Sequence, residues 1–100
     1  MDNYKVIFLS KALRDLDGIY TYIAKNLSEP ETALALVDEL EEQILSLERM
    51  PYRCPERRVG VYAGKGYRQL LVKNYVAIFR VDEANKEVVV VTIQYAKRNI

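Results

Sequence analysis

The sequence predicts an α+β domain of order βααβββ, a helical hairpin packed on one face of a mostly antiparallel four-stranded sheet. Three observations carry this. Apolar residues recur at helical spacing in two stretches between residues 10 and 47. Three β-type runs, separated by turn signals, fill residues 67–95. One more β-type run, Tyr4 to Leu9, precedes the helices. At 100 residues, 50% hydrophobic and 29% charged, the chain reads as one folded domain, 1–100, and not as a disordered segment.

Each element has a local cause. Ser10 is placed to cap a helix after the first strand. Ala12, Leu16, Ile19 and Ile23 then form its apolar stripe, with Leu13, Tyr20 and Leu27 alongside. Gly18 interrupts that helix at a cost of about 1 kcal/mol relative to alanine. Asn26 and Leu27 end it. Ser28 and Glu31 have the spacing of a capping box, and Pro30 falls in the first turn, where its missing N–H costs nothing. Ala33, Val37, Leu40, Ile44 and Leu47 continue as the stripe of the second helix. The short link makes the pair an antiparallel hairpin. Met50 to Arg58 reads as a loop around Pro51 and Pro55, and Gly60, Gly64 and Gly66 punctuate the stretch between that loop and the next strand. Strands are expected over 67–72, 75–81 and 87–95, with Lys73-Asn74 as a turn in which Asn supplies the positive φ. Val88 to Val91 is continuous enough to be buried on both faces. The other face of the sheet has no helix left to cover it.

Composition removes several kinds of chemistry. With no histidine, His general-base catalysis and His-ligated metal sites are excluded. The single cysteine, Cys54, allows neither an intramolecular disulfide nor a cysteine metal cluster, and a reduced cytoplasmic setting is the simplest expectation. No apolar run approaches the roughly 18 residues of a membrane span, and no signal-peptide pattern opens the chain. Neither a phosphate-binding loop nor a cofactor motif is present, so no metal and no cofactor is expected.

The net charge of +1 conceals a polarised chain. Residues 1–48 hold four bases against ten acids, a net of −6; residues 49–75 hold seven bases against one acid, a net of +6. Such asymmetry points to an anionic or acidic partner at the basic segment. Arg57, Arg58, Lys65, Arg68 and Lys73, with Lys97 and Arg98 from the tail, are the candidate contacts to a macromolecular target or nucleic acid. Arginines and tyrosines on an open sheet can also hold phosphates and stabilise a phosphorane-like transition state. Arg68, Arg80, Tyr95 and Arg98 are the candidates for such catalysis, Tyr95 being the one nearby proton carrier.

The order of motifs over nearly the whole chain resembles the RelE/ParE superfamily of type II toxin–antitoxin toxins. The residues that carry the resemblance are Tyr4-Lys-Val-Ile-Phe-Leu-Ser-Lys-Ala-Leu-Arg-Asp-Leu, Ile19-Tyr-Thr-Tyr-Ile, Ala35-Leu-Val-Asp-Glu-Leu and Leu47-Glu-Arg-Met-Pro. Gly66-Tyr-Arg-Gln-Leu-Leu-Val-Lys-Asn-Tyr, Ile78-Phe-Arg-Val-Asp-Glu and Gln94-Tyr-Ala-Lys-Arg complete it. The resemblance implies a growth-arresting toxin held by an antitoxin whose extended C-terminal segment wraps it in a hetero-oligomer. It also implies one of two targets: RelE-like members cleave mRNA in the ribosomal A site with sheet-borne Lys, Arg and Tyr, and ParE-like members inhibit DNA gyrase.

The residues lean toward the second. Where the nuclease branch carries an Arg after the aromatic that opens the middle strand of the meander, this chain has Val76 after Tyr75. In the preceding strand only Arg68 is basic, and the nuclease branch's later tyrosine has no counterpart. If Ala77, Phe79 and Val81 face the helices, strand alternation turns Val76, Ile78 and Arg80 outward, and Val76 and Ile78 make an apolar patch that, with Arg80, the antitoxin is expected to cover. The expected function is thus gyrase inhibition without catalysis. The alternatives are a ribosome-dependent endoribonuclease and a non-toxic remnant that only pairs with its antitoxin.

Overall fold

A computed structural model describes residues 3–97. Strand β1 (Lys5–Phe8) leads into helix α1 (Ser10–Thr21), which continues as a π-helical turn over Tyr22–Asn26. Helix α2 (Pro30–Leu45) comes next and tightens into a 3₁₀ turn, Ser46–Glu48. A second 3₁₀ turn (Pro51–Arg53) and a long loop lead to β2 (Arg68–Val72), β3 (Tyr75–Asp82) and β4 (Glu87–Tyr95). The sheet order is β1-β4-β3-β2. The β2–β3 and β3–β4 pairs are antiparallel; β1 runs parallel to β4 with Lys5 opposite Glu87.

Both helical stripes face the sheet. Ala12, Leu16, Leu40, Ile44 and Leu47 bury against Ala77, Phe79, Val88, Val90 and Ile93. Each large side chain buried this way contributes about 1.5–3 kcal/mol. A bulge in β4 makes the two halves of that strand compatible with this face. Ile78 pairs with Thr92 but Phe79 pairs with Val90, so Val91 is the extra residue. Alternation is reset by one, which lets Val90 and Ile93, three apart, both point at the helices. Gly18 needs no close neighbour: a Cβ there would meet nothing within 4 Å.

The helix starts differ from expectation. Leu9, not Ser10, is the cap position of α1, and Ser10 is already helical. The Ser28–Glu31 capping box does not form, because Ser28 takes φ 56° in the tight link and Glu29 becomes the cap. Pro30 does occupy the first turn of α2. In the β2–β3 turn it is Lys73, at φ 53°, that takes the positive φ in place of Asn74.

The second face of the sheet is only partly open: Arg80 and Leu71 are exposed on it, and its centre is covered. Val76 and Ile78, expected outward as an exposed patch, are 0% exposed, and Val89 beside them is buried too. They do lie on the face away from the helices, since neither joins the core around Phe79. Residues 55–57 extend the sheet past β2 as a short edge: the Arg57 N–H donates to the Tyr67 carbonyl, the Gln69 N–H donates to the Pro55 carbonyl, and Glu56 bridges to Arg68. The loop beyond this edge is pinned on the Val76 face. The Arg57 guanidinium, 6% exposed, donates to Gln69 Oε1 at 2.9 Å and to the Val59 carbonyl at 3.1 Å. Tyr62 packs edge-on against Tyr67 with ring centres 4.9 Å apart. A side-chain clamp and a loop thus take the place of a covering helix.

Candidate functional site

The residues proposed for catalysis do not converge. Arg68 opens β2 opposite Phe79, and directly paired residues share a face, so it points to the helix side. Its guanidinium donates to the Cys54 carbonyl at 2.6 Å and lies 5.0 Å from the centre of the Tyr52 ring. It is held in a structural cluster. Arg80 pairs with Val89 on the opposite face and is exposed. Tyr95 pairs with Tyr75, back on the helix side, four residues along β3 from Phe79 and hence about 13 Å away at strand rise. Arg98 lies outside the described residues. A transition state cannot be clamped by groups on opposite faces of one sheet.

The cluster around Arg68 is an internal lock. Glu83, in the β3–β4 turn, accepts from Tyr52 Oη at 2.6 Å, from Tyr4 Oη at 2.9 Å and from Lys86 Nζ. Lys86, then Tyr52 and Tyr4, hold the Glu83 carboxyl down at about 2, against an ordinary 4.5. The same bond raises the Tyr52 hydroxyl. Burial raises the Cys54 thiol, with Arg53 and Arg68 pulling weakly the other way, so the thiol stays protonated at neutral pH and is a poor nucleophile. The sign of the Glu83 contribution is set by its lowered value. It is complete above about pH 4.5 and is lost as pH falls toward 2. Because the group is exposed, solvent screening keeps the effect modest. Glu83→Gln is therefore expected to lower the melting temperature at pH 7, and the gap to wild type should close on acidification through that window. A gap independent of pH would refute the lock.

The basic residues separate into held and free. Arg57 is buried, and Lys73 pairs with Glu39 at 3.5 Å. Arg58, Lys65 and Lys97 are exposed. Among the described residues no cluster of His, Cys, Asp or Glu could hold a metal ion, and no helix is long and apolar enough to cross a membrane.

No pattern in the sequence announces the cleft beside the helical hairpin. A cleft of about 810 Å³ opens between the π-helical end of α1 and the far ends of β3 and β4. Ile19, Tyr22, Leu27, Leu36, Tyr75 and Tyr95 line it together with the charged Arg14 and Asp15. A smaller hollow of about 270 Å³ prolongs it past Leu36, Asn74 and Tyr75 toward Lys73. Tyr75 and Tyr95 meet edge to face, 5.7 Å between centres, and burial, then the neighbouring Tyr95 and Tyr22, raises the Tyr75 hydroxyl. Tyr22, Leu27 and Tyr95 are exposed here. A largely apolar, tyrosine-lined groove is suited to an apolar segment of another protein. It depends on residues from four elements, which no local pattern brings together.

Comparison with known proteins places this architecture. Residues 6–100 match the family described as the ParE toxin of type II toxin-antitoxin system, parDE. The chain belongs to the ParE toxin family. Among solved structures, one described as the chromosomal ParDE TA system from P. aeruginosa is 28% identical, with a TM-score of 0.80 over 97% of this chain and 100% of that one. The RelBE2 toxin–antitoxin complex from Mycobacterium tuberculosis is 23% identical, with a TM-score of 0.65 over 97% of each chain. The intact E. coli RelBE complex is 14% identical, with a TM-score of 0.59 over 95% of this chain and 99% of that one. The last two share the fold alone. No curated protein matches the sequence. As a ParE-family toxin of a type II system, the chain has an antitoxin as its partner.

Proposed function

We propose that this chain, as one toxin domain, arrests growth in the cytoplasm by binding and inhibiting DNA gyrase, without cleaving RNA and without a metal or cofactor. The observation that carries the reading is the dispersal of Arg68, Arg80 and Tyr95: one is bound to the Cys54 carbonyl, one lies on the far face, and one lines the cleft. Membership of the ParE family supports gyrase as the target. With Val76 and Ile78 buried, the antitoxin is better placed at the cleft and along β1. That strand ends the sheet, and its backbone at Val6 and Phe8 turns outward with no strand beside it among the described residues. Arg80 is exposed on the other face and stays outside that footprint.

The test is induction of the chain without its antitoxin, followed by mapping of RNA 5′ ends and a supercoiling assay with purified gyrase. Arrested growth, intact mRNA and lost supercoiling are expected. New cuts at fixed positions within translated codons would replace this reading with ribosome-dependent cleavage. Unimpeded growth would leave only a remnant that pairs with its antitoxin.

A further inference from the structure

We propose that the loop 58–66 is the element that grips the toxin's target, by docking Val59 and Val61 into an apolar patch of a partner protein while Arg58 and Lys65 meet acidic groups at that patch's rim. This rests on the reading of the chain as a growth-arresting toxin.

Most basic side chains of the segment are anchored to partners within the fold, Arg49 being exposed outside the loop. Arg53 donates to the Arg49 and Met50 carbonyls and to Ser46 Oγ. Arg57 and Arg68 are held by Gln69 and the Cys54 carbonyl, and Lys73 faces Glu39. Arg58 and Lys65 keep exposed side chains, and both stand at the neck of the same loop. The last backbone bond before it joins Arg57 to Tyr67 at 2.7 Å, so Arg58 and Lys65 leave the sheet on facing arms. Between them Val59 and Val61 are 49% and 65% exposed.

The loop is also preorganised. Gly60, Gly64 and Gly66 hold φ of 79°, 69° and 83°, values that a side chain would strain. The Ala63 N–H closes a turn on the Gly60 carbonyl at 3.2 Å. Arg57 and Tyr62 fasten its inner side to the sheet. A fixed backbone that projects branched apolar tips lowers the entropy lost on docking. Free cations flanking exposed apolar residues are the surface expected for a protein with an apolar patch and an acidic rim. A nucleic acid fits less well. The loop itself brings only two exposed cations to release counterions, and its valines do not stack on bases. The loop belongs to the face opposite the cleft, so the antitoxin seated in the cleft need not touch it.

The experiment compares wild type, Val59→Asp/Val61→Asp and Arg58→Glu/Lys65→Glu in four readouts: growth arrest, affinity for purified gyrase, affinity for the cognate antitoxin and melting temperature. Both variants are expected to lose growth arrest and to bind gyrase at least about tenfold more weakly. Antitoxin affinity and melting temperature should stay at wild-type values, as for most exposed substitutions. If wild type arrests growth but does not bind gyrase, the gyrase assignment fails. The loop is then judged on growth arrest alone, with antitoxin binding as the control for folding. Undiminished arrest by either variant overturns the loop proposal, as does a parallel loss of antitoxin binding. Loss of arrest by the charge variant alone, accompanied by weaker binding of a duplex oligonucleotide, overturns it in favour of a polyanion. A wild-type chain that arrests nothing overturns both readings.

Discussion

Phe79→Ala should remove a large part of the stability of this protein. Phe79 is 0% exposed, sits at mid-sheet in β3 and packs in the cluster that joins both helices to β4. Its backbone neighbours across the sheet are Arg68 and Val90, on either side. Truncation to alanine in such a site typically costs about 3–5 kcal/mol, the lost transfer free energy plus that of a cavity the neighbours cannot fully fill. A domain of this size is stable by only about 5–15 kcal/mol in total. Urea unfolding of the purified chain should therefore show a midpoint shifted far toward zero denaturant, with little change in slope. Phe79→Leu, which keeps much of the volume, should lose far less. A shift worth under about 1 kcal/mol for the alanine variant would mean that the helices and sheet do not share one core.

Asp15→Ala should be the second most damaging change, for a polar reason. Beyond the end of β1, the edge of β4 is covered by α1, and Asp15 supplies the acceptor that a neighbouring strand would have supplied. Its Oδ2 accepts from the Ile93 N–H at 3.0 Å and from Thr92 Oγ1 at 2.6 Å. Thr92 is only 1% exposed, so removal of the carboxylate strands a buried hydroxyl and a buried amide together. Hydrogen bonds to a charged acceptor are worth about 1.5–3 kcal/mol, and the loss here should fall at the upper end. The Lys11–Asp15 contact is an exposed i,i+4 pair and adds little. Hydrogen exchange at the Ile93 amide is the direct measurement, and protection there should fall in Asp15→Ala while protection at Phe79 is spared. Unchanged exchange at Ile93 would show that α1 does not serve as the edge of β4.

These two residues also show what the sequence discloses. Phe79 is readable as core, because Ala77, Phe79 and Val81 alternate with Val76, Ile78 and Arg80 in a pattern that admits one helix-facing set. The helical stripes are readable for the same reason, since Leu40, Ile44 and Leu47 recur with the helix. Alternation separates two faces but cannot say what lies above each. Gln69, opposite Ile78 on that face, accepts from Arg57, a contact between a loop and a strand position with no periodicity to announce it. Arg68 reads as a free cation because its acceptor, the Cys54 carbonyl, is backbone and leaves no mark in composition. Asp15 passes for a surface acid on a helix, its partners 77 and 78 residues away. The cleft is hidden for a related reason. It arises where the π-helical turn at Tyr22–Asn26 meets the ends of β3 and β4, a junction that belongs to no single element.

The parallel pairing of β1 with β4 has a consequence for the birth of the molecule. Lys5, Val6, Ile7 and Phe8 find their partners only in Glu87 to Val90, and Leu9 completes its backbone bond only on Val90. Until the ribosome has made those residues, the first strand has nothing to join, and α1 has no β4 edge to cover. Pairings this distant in sequence are slow to close, because the entropy of the intervening loop must be lost first. The helical hairpin can form early, but the tyrosine-lined cleft needs Ile93 and Tyr95 and so comes into being last. A chain folded in this order cannot close its sheet until β4 has been made. The cleft is completed in the same step that closes the sheet.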